Sequence, residues 1–396
     1  MPRRRTPTLT PEEARQLHQE ALVIDSQQPP ATRGFLFTEK MRAALEEHFR
    51  KGMTREEAAP LMEDMAVREI QTSTDARKQY LDLWRRSGVT VACGTYSGSM
   101  RVSDAFESST KRIAQAYAYI DALDGALIPC REAADIERVY RKGRHGLVLD
   151  FQNTTPLGDN LDRISYFHNL GVRMVQLTYN LRNLVGDGCT EAHQGGLSYF
   201  GREVVRGLNE ARILVDVSHC SEQVGWDALK VSTAPIVVSH STSKAVCYHD
   251  RGKTDELAKA VADRGGFFGV VVIPGFLSEG TEPTLDAFVD HVAHLVDAIG
   301  IDHVGIGTDK AGPGPGTESM VEYPAAMPKR PAGAFNWAGF RDKEHRLTPE
   351  YHMNGFESFG DWPNLTVALA QRGFDEDDLR KLLGLNFLRV FRDVVG

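Results

Sequence analysis

Residues Ile213 to Ser243 read ILVDVSHCSEQVGWDALKVSTAPIVVSHSTS, and they say one thing twice. An apolar, β-branched run ends in Ser-His (VDVSHCS), an amphipathic crossover follows, and a second such run ends the same way (IVVSHST). Strand, short helix, strand is the βαβ unit, whose two strands run parallel and finish at the same edge of the sheet. Neighbouring strands lie about 4.8 Å apart. His219 and His240 are therefore expected side by side, within reach of one metal ion or one substrate group. A lone His at such a place is usually satisfied by a local hydrogen bond. A matched pair at parallel strand ends points to chemistry instead, because α/β active sites gather at that edge.

Working outward, the same alternation recurs. ALVIDSQQPP (21–30), VTVACGTYS (89–97), GLVLDFQN (146–153) and VRMVQLTYN (172–180) precede the pair, and GGFFGVVVIP (265–274) and DHVGIGTD (302–309) follow it. Each run is short, apolar and set off by helical sequence, as in a parallel sheet covered on both faces. Eight such units predict a closed (β/α)8 TIM barrel, with the whole chain, 1–396, as one domain. Helical sequence at 39–88 reads as an insertion after the first strand. The Gly-, Pro- and His-rich stretch 311–361 reads as a lid over the barrel mouth. Reading the strand ends gives Gln27, Thr95, Gln152, Tyr179, His219, His240, Pro274 and Asp309 around that mouth. The GxG of GIGTDKAGPGPG lies inside a strand and runs into prolines, which argues against a phosphate cradle.

Composition narrows the partners. The chain has 41% hydrophobic and 25% charged residues and a net charge of -8, values of an ordinary enzyme without the basic surface that nucleic acid requires. MPRRRTPTLTPEE lacks an apolar core, and no run reaches membrane-spanning length, so a cytoplasmic protein with no membrane partner is expected. The five cysteines, Cys93, Cys130, Cys189, Cys220 and Cys247, are odd in number and irregularly spaced, which suits reduced thiols. Cys220 beside His219 is a poor nucleophile candidate, because consecutive strand residues point to opposite faces.

Several segments together resemble the renal, or membrane, dipeptidase family of metallopeptidases in the amidohydrolase superfamily. They are GVRMVQLTYN, GLSYFGREVVRGLN, ILVDVSHCS, APIVVSHSTSKAVCYHDRGKTDE, GGFFGVV, DHVGIGTD and WPNLTVALAQRGFDEDDLRKLLGLNFLRVF. The resemblance implies a barrel that holds two zinc ions, a dipeptide-like substrate and a homodimer. His219, His240 and Asp309 stand where the family has two metal-ligating histidines and its last aspartate. Arg251 stands where the family grips the substrate carboxylate, so its replacement by Ala is expected to raise KM and leave the fold intact. Four positions depart: Gln27-Gln28-Pro29 replaces the first-strand His-x-Asp, Gln152 replaces the bridging Glu, and Tyr179 replaces a catalytic His.

Two divalent cations need several carboxylates nearby, and these strand ends offer one, with two imidazoles and two neutral amides. At most one zinc is therefore expected, held weakly by His219, His240 and Asp309. His345 and His352 in the lid are the first reserves for further ligands. Asp309, Tyr179, Gln152 and Gln27 are the catalytic candidates, with Tyr179 placed to stabilise an oxyanion or donate a proton. The leading expectation is a hydrolase of a small amide or dipeptide-like substrate with a free carboxylate. A metal-free acid–base enzyme of small-molecule or natural-product metabolism and a non-catalytic binding protein are the alternatives.

Overall fold

The computed structural model describes residues 6–28, 35–310, 324, 326–331, 335–336, 338–348 and 353–396. Its strands are β1 (Ile24–Gln28), β2 (Val91–Thr95), β3 (Leu127–Pro129), β4 (His145–Phe151), β5 (Val172–Gln176), β6 (Leu214–Asp216), β7 (Val237–Ser241), β8 (Phe267–Val270) and β9 (Val304–Ile306). Eight of them form a (β/α)8 barrel in the order β1-β2-β4-β5-β6-β7-β8-β9, every pair parallel. β3 is an addition to the sequence reading. It pairs only with β4, outside the ring, and at three residues ending in a proline it carries almost no strand signal.

The seam between β1 and β9 is closed by a backbone bond and by a side chain. Asp309 N donates to Gln27 O at 2.8 Å. Asp25, fully buried, accepts from Thr308 N (2.8 Å), Thr308 Oγ1 (2.5 Å) and Trp362 Nε1 (3.1 Å). Burial nevertheless raises its carboxyl to about 7, since those donors only partly replace water.

Inside the barrel the side chains change character with height. At the N-terminal end, Ile24, Val91, Val148, Met174, Leu214, Val237 and Phe267 pack against Phe387, Leu388 and Phe391 of the C-terminal helix Asn386–Val395. That helix caps the barrel floor, where Asn386 Nδ2 donates to the carbonyls of Ile301 and Val304 at 2.7 Å. One layer up the interior turns polar, and Ser26 Oγ donates to Ser239 O (2.6 Å) and Ile306 O (3.0 Å). This crossing leaves no room at β8: a Cβ on Gly269 would sit 2.0 Å from Ser239 O. Gly269→Ala is expected to cost about 3 kcal/mol, at the upper end for overpacking, and urea unfolding reads it; parent-like stability would mean that the layer is loosely packed.

The insertion is three capped helices, Glu39–Arg50, Arg55–Thr72 and Thr74–Ser87, started by Thr38, Thr54 and Ser73. Next to them, helix Pro11–Glu20 buries His18 between Thr366 Oγ1 (2.7 Å) and Ser87 O (2.8 Å). Burial lowers this imidazole to about 4. Between pH 6.5 and 4 the unfolded chain binds a proton at His18 that the folded chain refuses. Its stability contribution is thus full above 6.5 and lost as pH falls, by about 3 kcal/mol. Asp25, with its raised carboxyl, works in the opposite direction over that window, so the test compares slopes. His18→Gln should flatten the acid limb of the stability–pH curve by about one proton's worth, and superimposable limbs would refute the assignment.

Candidate active site

The ends of β6 and β7 are tied together by one carboxylate. Asp216 accepts from Ser218 N (3.0 Å), Ser218 Oγ (2.6 Å), Ser239 N (2.9 Å) and Ser239 Oγ (2.6 Å). Bonding Ser218 N turns the chain out of the ladder just after Asp216, the local capture typical of an Asp that ends a strand. His219 therefore sits on a turn rather than on the strand, while His240 lies within β7 at an irregular register between Val238 and Ser241. The two rings still meet: His219 Nε2 and His240 Nε2 are 2.9 Å apart. Gln152 Nε2 lies 3.4 Å from His240 Nε2, and the Tyr179 ring stacks on His219 with centroids 4.1 Å apart. Phe340, from the stretch read as a lid, sets its edge against both His219 and Tyr179.

The outer nitrogens fix which tautomer each ring adopts. Asn180 Nδ2 donates to Ala338 O (2.6 Å), which turns Asn180 Oδ1 towards His219 Nδ1 at 2.7 Å. That nitrogen must carry its proton. His240 Nδ1 faces Ser239 Oγ at 2.8 Å, and the Ser239 hydroxyl proton is directed at Asp216. With Asp216 ionised, Nδ1 of His240 is a donor as well. Both Nε2 lone pairs then point at one spot. Burial, followed by the nearby Arg251 cation, holds both imidazoles well below the ordinary histidine range.

Arg251 is fully buried, with Nη1 on Ser218 O (2.6 Å) and Nη2 on His240 O (2.9 Å). It braces the two histidine-bearing segments from behind, so the sequence expectation that its loss leaves the fold intact is corrected: two buried carbonyls depend on it. Among the described residues its Nε has no partner. Lys253 is buried beside it and donates to Cys220 O at 2.6 Å. Burial raises the Cys220 thiol to about 11, unsuited to a nucleophile, and all five cysteines are buried and free.

Gln27 and Asp309 lie across the β1–β9 seam from one another. His345 bonds Asp250 at 3.2 Å and Arg341 N at 2.9 Å, and is held away from the histidine pair by Phe340. Pro29, His352 and much of the stretch 311–361 lie outside the described residues. Sequence reasoning assigned no role to Asn180, Asp216, Ser239 or Lys253. Asp216 and Ser239 were visible inside the twin motif, three residues ahead of His219 and one ahead of His240 respectively. Asn180 carries a weaker signal, a residue tolerant of positive φ (58°) just past a strand.

A sequence profile of the membrane dipeptidase family (peptidase family M19) matches residues 12–328 and 348–395. The chain belongs to this family. It is 31% identical over 266 residues to Dipeptidase tcpJ of Claviceps purpurea, an alignment covering 66% of this chain and 54% of that protein. To Dipeptidase verJ of Clonostachys rogersoniana it is 27% identical, over 67% of this chain and 59% of that one. The chain thus spans little more than half the length of these curated relatives. A crystal structure described as an amidohydrolase from Pseudomonas aeruginosa superimposes with TM-score 0.72 at 29% identity, over 98% of this chain and 99% of that one.

Membership of a metallopeptidase family asks whether these residues fit zinc. Among the described residues no three His, Cys, Asp or Glu side chains converge on one ion position. Two imidazoles do converge, each with its outer nitrogen anchored, as ligating histidines are. Gln27 and Gln152 bring no charge, and the Arg251 and Lys253 cations face both rings from behind. Among the described residues, His219 and His240 are the two anchored donors that would hold an ion. No helix among the described residues is long and apolar enough to cross a membrane.

Proposed function

We propose that the chain is a dipeptidase-like hydrolase that cleaves the amide bond of a small substrate bearing a free carboxylate, with at most one zinc. The observation that carries this is the meeting of two Nε2 lone pairs, 2.9 Å apart, at the mouth of a barrel of this family. His219 and His240 would hold the ion, with Asp309 proposed as a third ligand. Such an ion polarises a carbonyl and lowers the pKa of bound water.

The chain's own residues do the rest. With an ion bound, Ser239 and Asp216 behind Nδ1 fix the His240 ring that ligates it; in the metal-free reading His240 Nε2 would instead accept a proton, and the same pair would stabilise the imidazolium that results. Asn180 and the stacked Tyr179 hold the His219 ring plane. The Gln152 amide donates beside the reacting centre, Tyr179 and Gln27 flank it, and Arg251 Nε receives the substrate carboxylate. The second reading, metal-free acid–base chemistry in the same pocket, is favoured by one observation: two buried cations lie behind the histidines, which lowers their affinity for a metal ion.

A panel of dipeptides assayed with zinc, without it and after chelation tests the proposal. Hydrolysis that chelation abolishes and zinc restores supports it. Turnover that survives chelation moves the assignment to the metal-free reading, and an inert folded protein refutes both.

A further inference from the structure

The histidine pair is sealed from solvent. His219 is 1% exposed and His240 0%, so a substrate reaches their Nε2 atoms only if part of the cover moves. The walls around the pair are barrel strands and the buried Arg251 brace. The remaining cover is residues 338–346, whose Phe340 lies against His219 and Tyr179. This segment is fastened to loops beyond three strands. Beyond β5, Ala338 O accepts from Asn180 Nδ2 (2.6 Å) and Arg341 Nη1 donates to Thr190 O (3.4 Å). Beyond β7, Arg341 and His345 pair with Asp250 (3.6 and 3.2 Å), and His345 O meets His249 Nε2 at 3.2 Å. Beyond β8, Arg346 Nε donates to Gly275 O at 2.7 Å. Water can replace polar ties of this kind when a segment lifts, which makes such segments the ones that open locally.

Asn180 senses whether the segment is seated. With Ala338 O in place, Nδ2 is committed to it and Oδ1 accepts from His219 Nδ1 at 2.7 Å. Cys189 Sγ adds a weak donor to the same oxygen at 3.4 Å. When Ala338 O withdraws, Nδ2 loses its acceptor, and rotation of the amide offers it His219 Nδ1 instead. His219 then carries its proton on Nε2, aimed at His240 Nε2 only 2.9 Å away. The two rings satisfy each other in that state, and His219 presents no lone pair to an ion or a substrate. We propose that residues 338–346 form a gate that lifts to admit substrate, and that Asn180 is the positioning residue that couples its closure to the tautomer of His219. This coupling rests on the reading that the pair does the chemistry.

The test uses the full chain, stripped of metal by chelation, with two readouts that need no turnover. Gly339 has φ +76°, and a Cβ there would lie 2.7 Å from Leu181 Cγ and 2.9 Å from Asn180 Cβ, so Gly339→Val keeps the segment from seating. Diethyl pyrocarbonate, followed by mass spectrometry, should modify His219 and His240 far more slowly than the exposed His193 in the parent, and about tenfold faster than in the parent once Gly339→Val opens the gate. In protein labelled with nitrogen-15 histidine, His219 should carry its proton on Nδ1 in the parent and on Nε2 in Gly339→Val. Adding Asn180→Asp to Gly339→Val should restore the Nδ1 proton, because a carboxylate accepts from Nδ1 wherever the segment lies. Arg341→Ala, which unties Thr190 O and Asp250 at an exposed position, carries the test if Gly339→Val does not fold. Parent rings modified as fast as His193, protection unchanged in both gate variants, or a His219 tautomer that ignores the gate would overturn the proposal. An inert protein in which both readouts respond would refute the hydrolase reading and leave the gate standing.

Discussion

Arg251→Ala is expected to unfold about 3 kcal/mol more easily than the parent and to lose the alignment of the histidine pair. The guanidinium is fully buried and supplies the side-chain donors to Ser218 O and His240 O, which flank the two reacting rings. Removing it leaves two buried carbonyls unsatisfied, each worth about 1–3 kcal/mol. kcat should fall and KM should rise, because the loss misplaces His219 and His240 and also removes the proposed contact to the substrate carboxylate. Urea unfolding with steady-state kinetics separates the effects. A variant with parent stability and only a raised KM would show that Arg251 is a clamp and not a brace.

The second large effect belongs to His240. Replacing it by Ala should lower kcat/KM by about 10³-fold, within the range for loss of a positioned general acid or base, with the fold retained. Ser239→Ala, which leaves the ring but unties Nδ1 from Asp216, should cost less and shift the acid limb of the pH–rate profile. Full activity in His240→Ala would remove the pair from the chemistry.

Much of this arrangement was legible in the sequence because parallel strands are buried on both faces and read as uninterrupted apolar runs. The twin Ser-His motif placed its histidines together for the same reason. Strand lengths were not legible. VDVSH stays apolar past Asp216, but the Asp216 side chain takes Ser218 N and ends the ladder there. Likewise VRMVQLTYN is strand only to Gln176, and Tyr179 reaches His219 from the loop beyond. Arg251 was read as a ligand clamp from the motif around it, whereas its burial and its bonds to Ser218 O and His240 O were not legible in the sequence.

The central claim is a single ion position between His219 and His240. Elemental analysis of protein equilibrated with zinc and then dialysed tests it most directly. At most one zinc per chain is expected, lost when both histidines are replaced by Ala. Two zinc ions that survive dialysis, or one retained without the histidines, would contradict it.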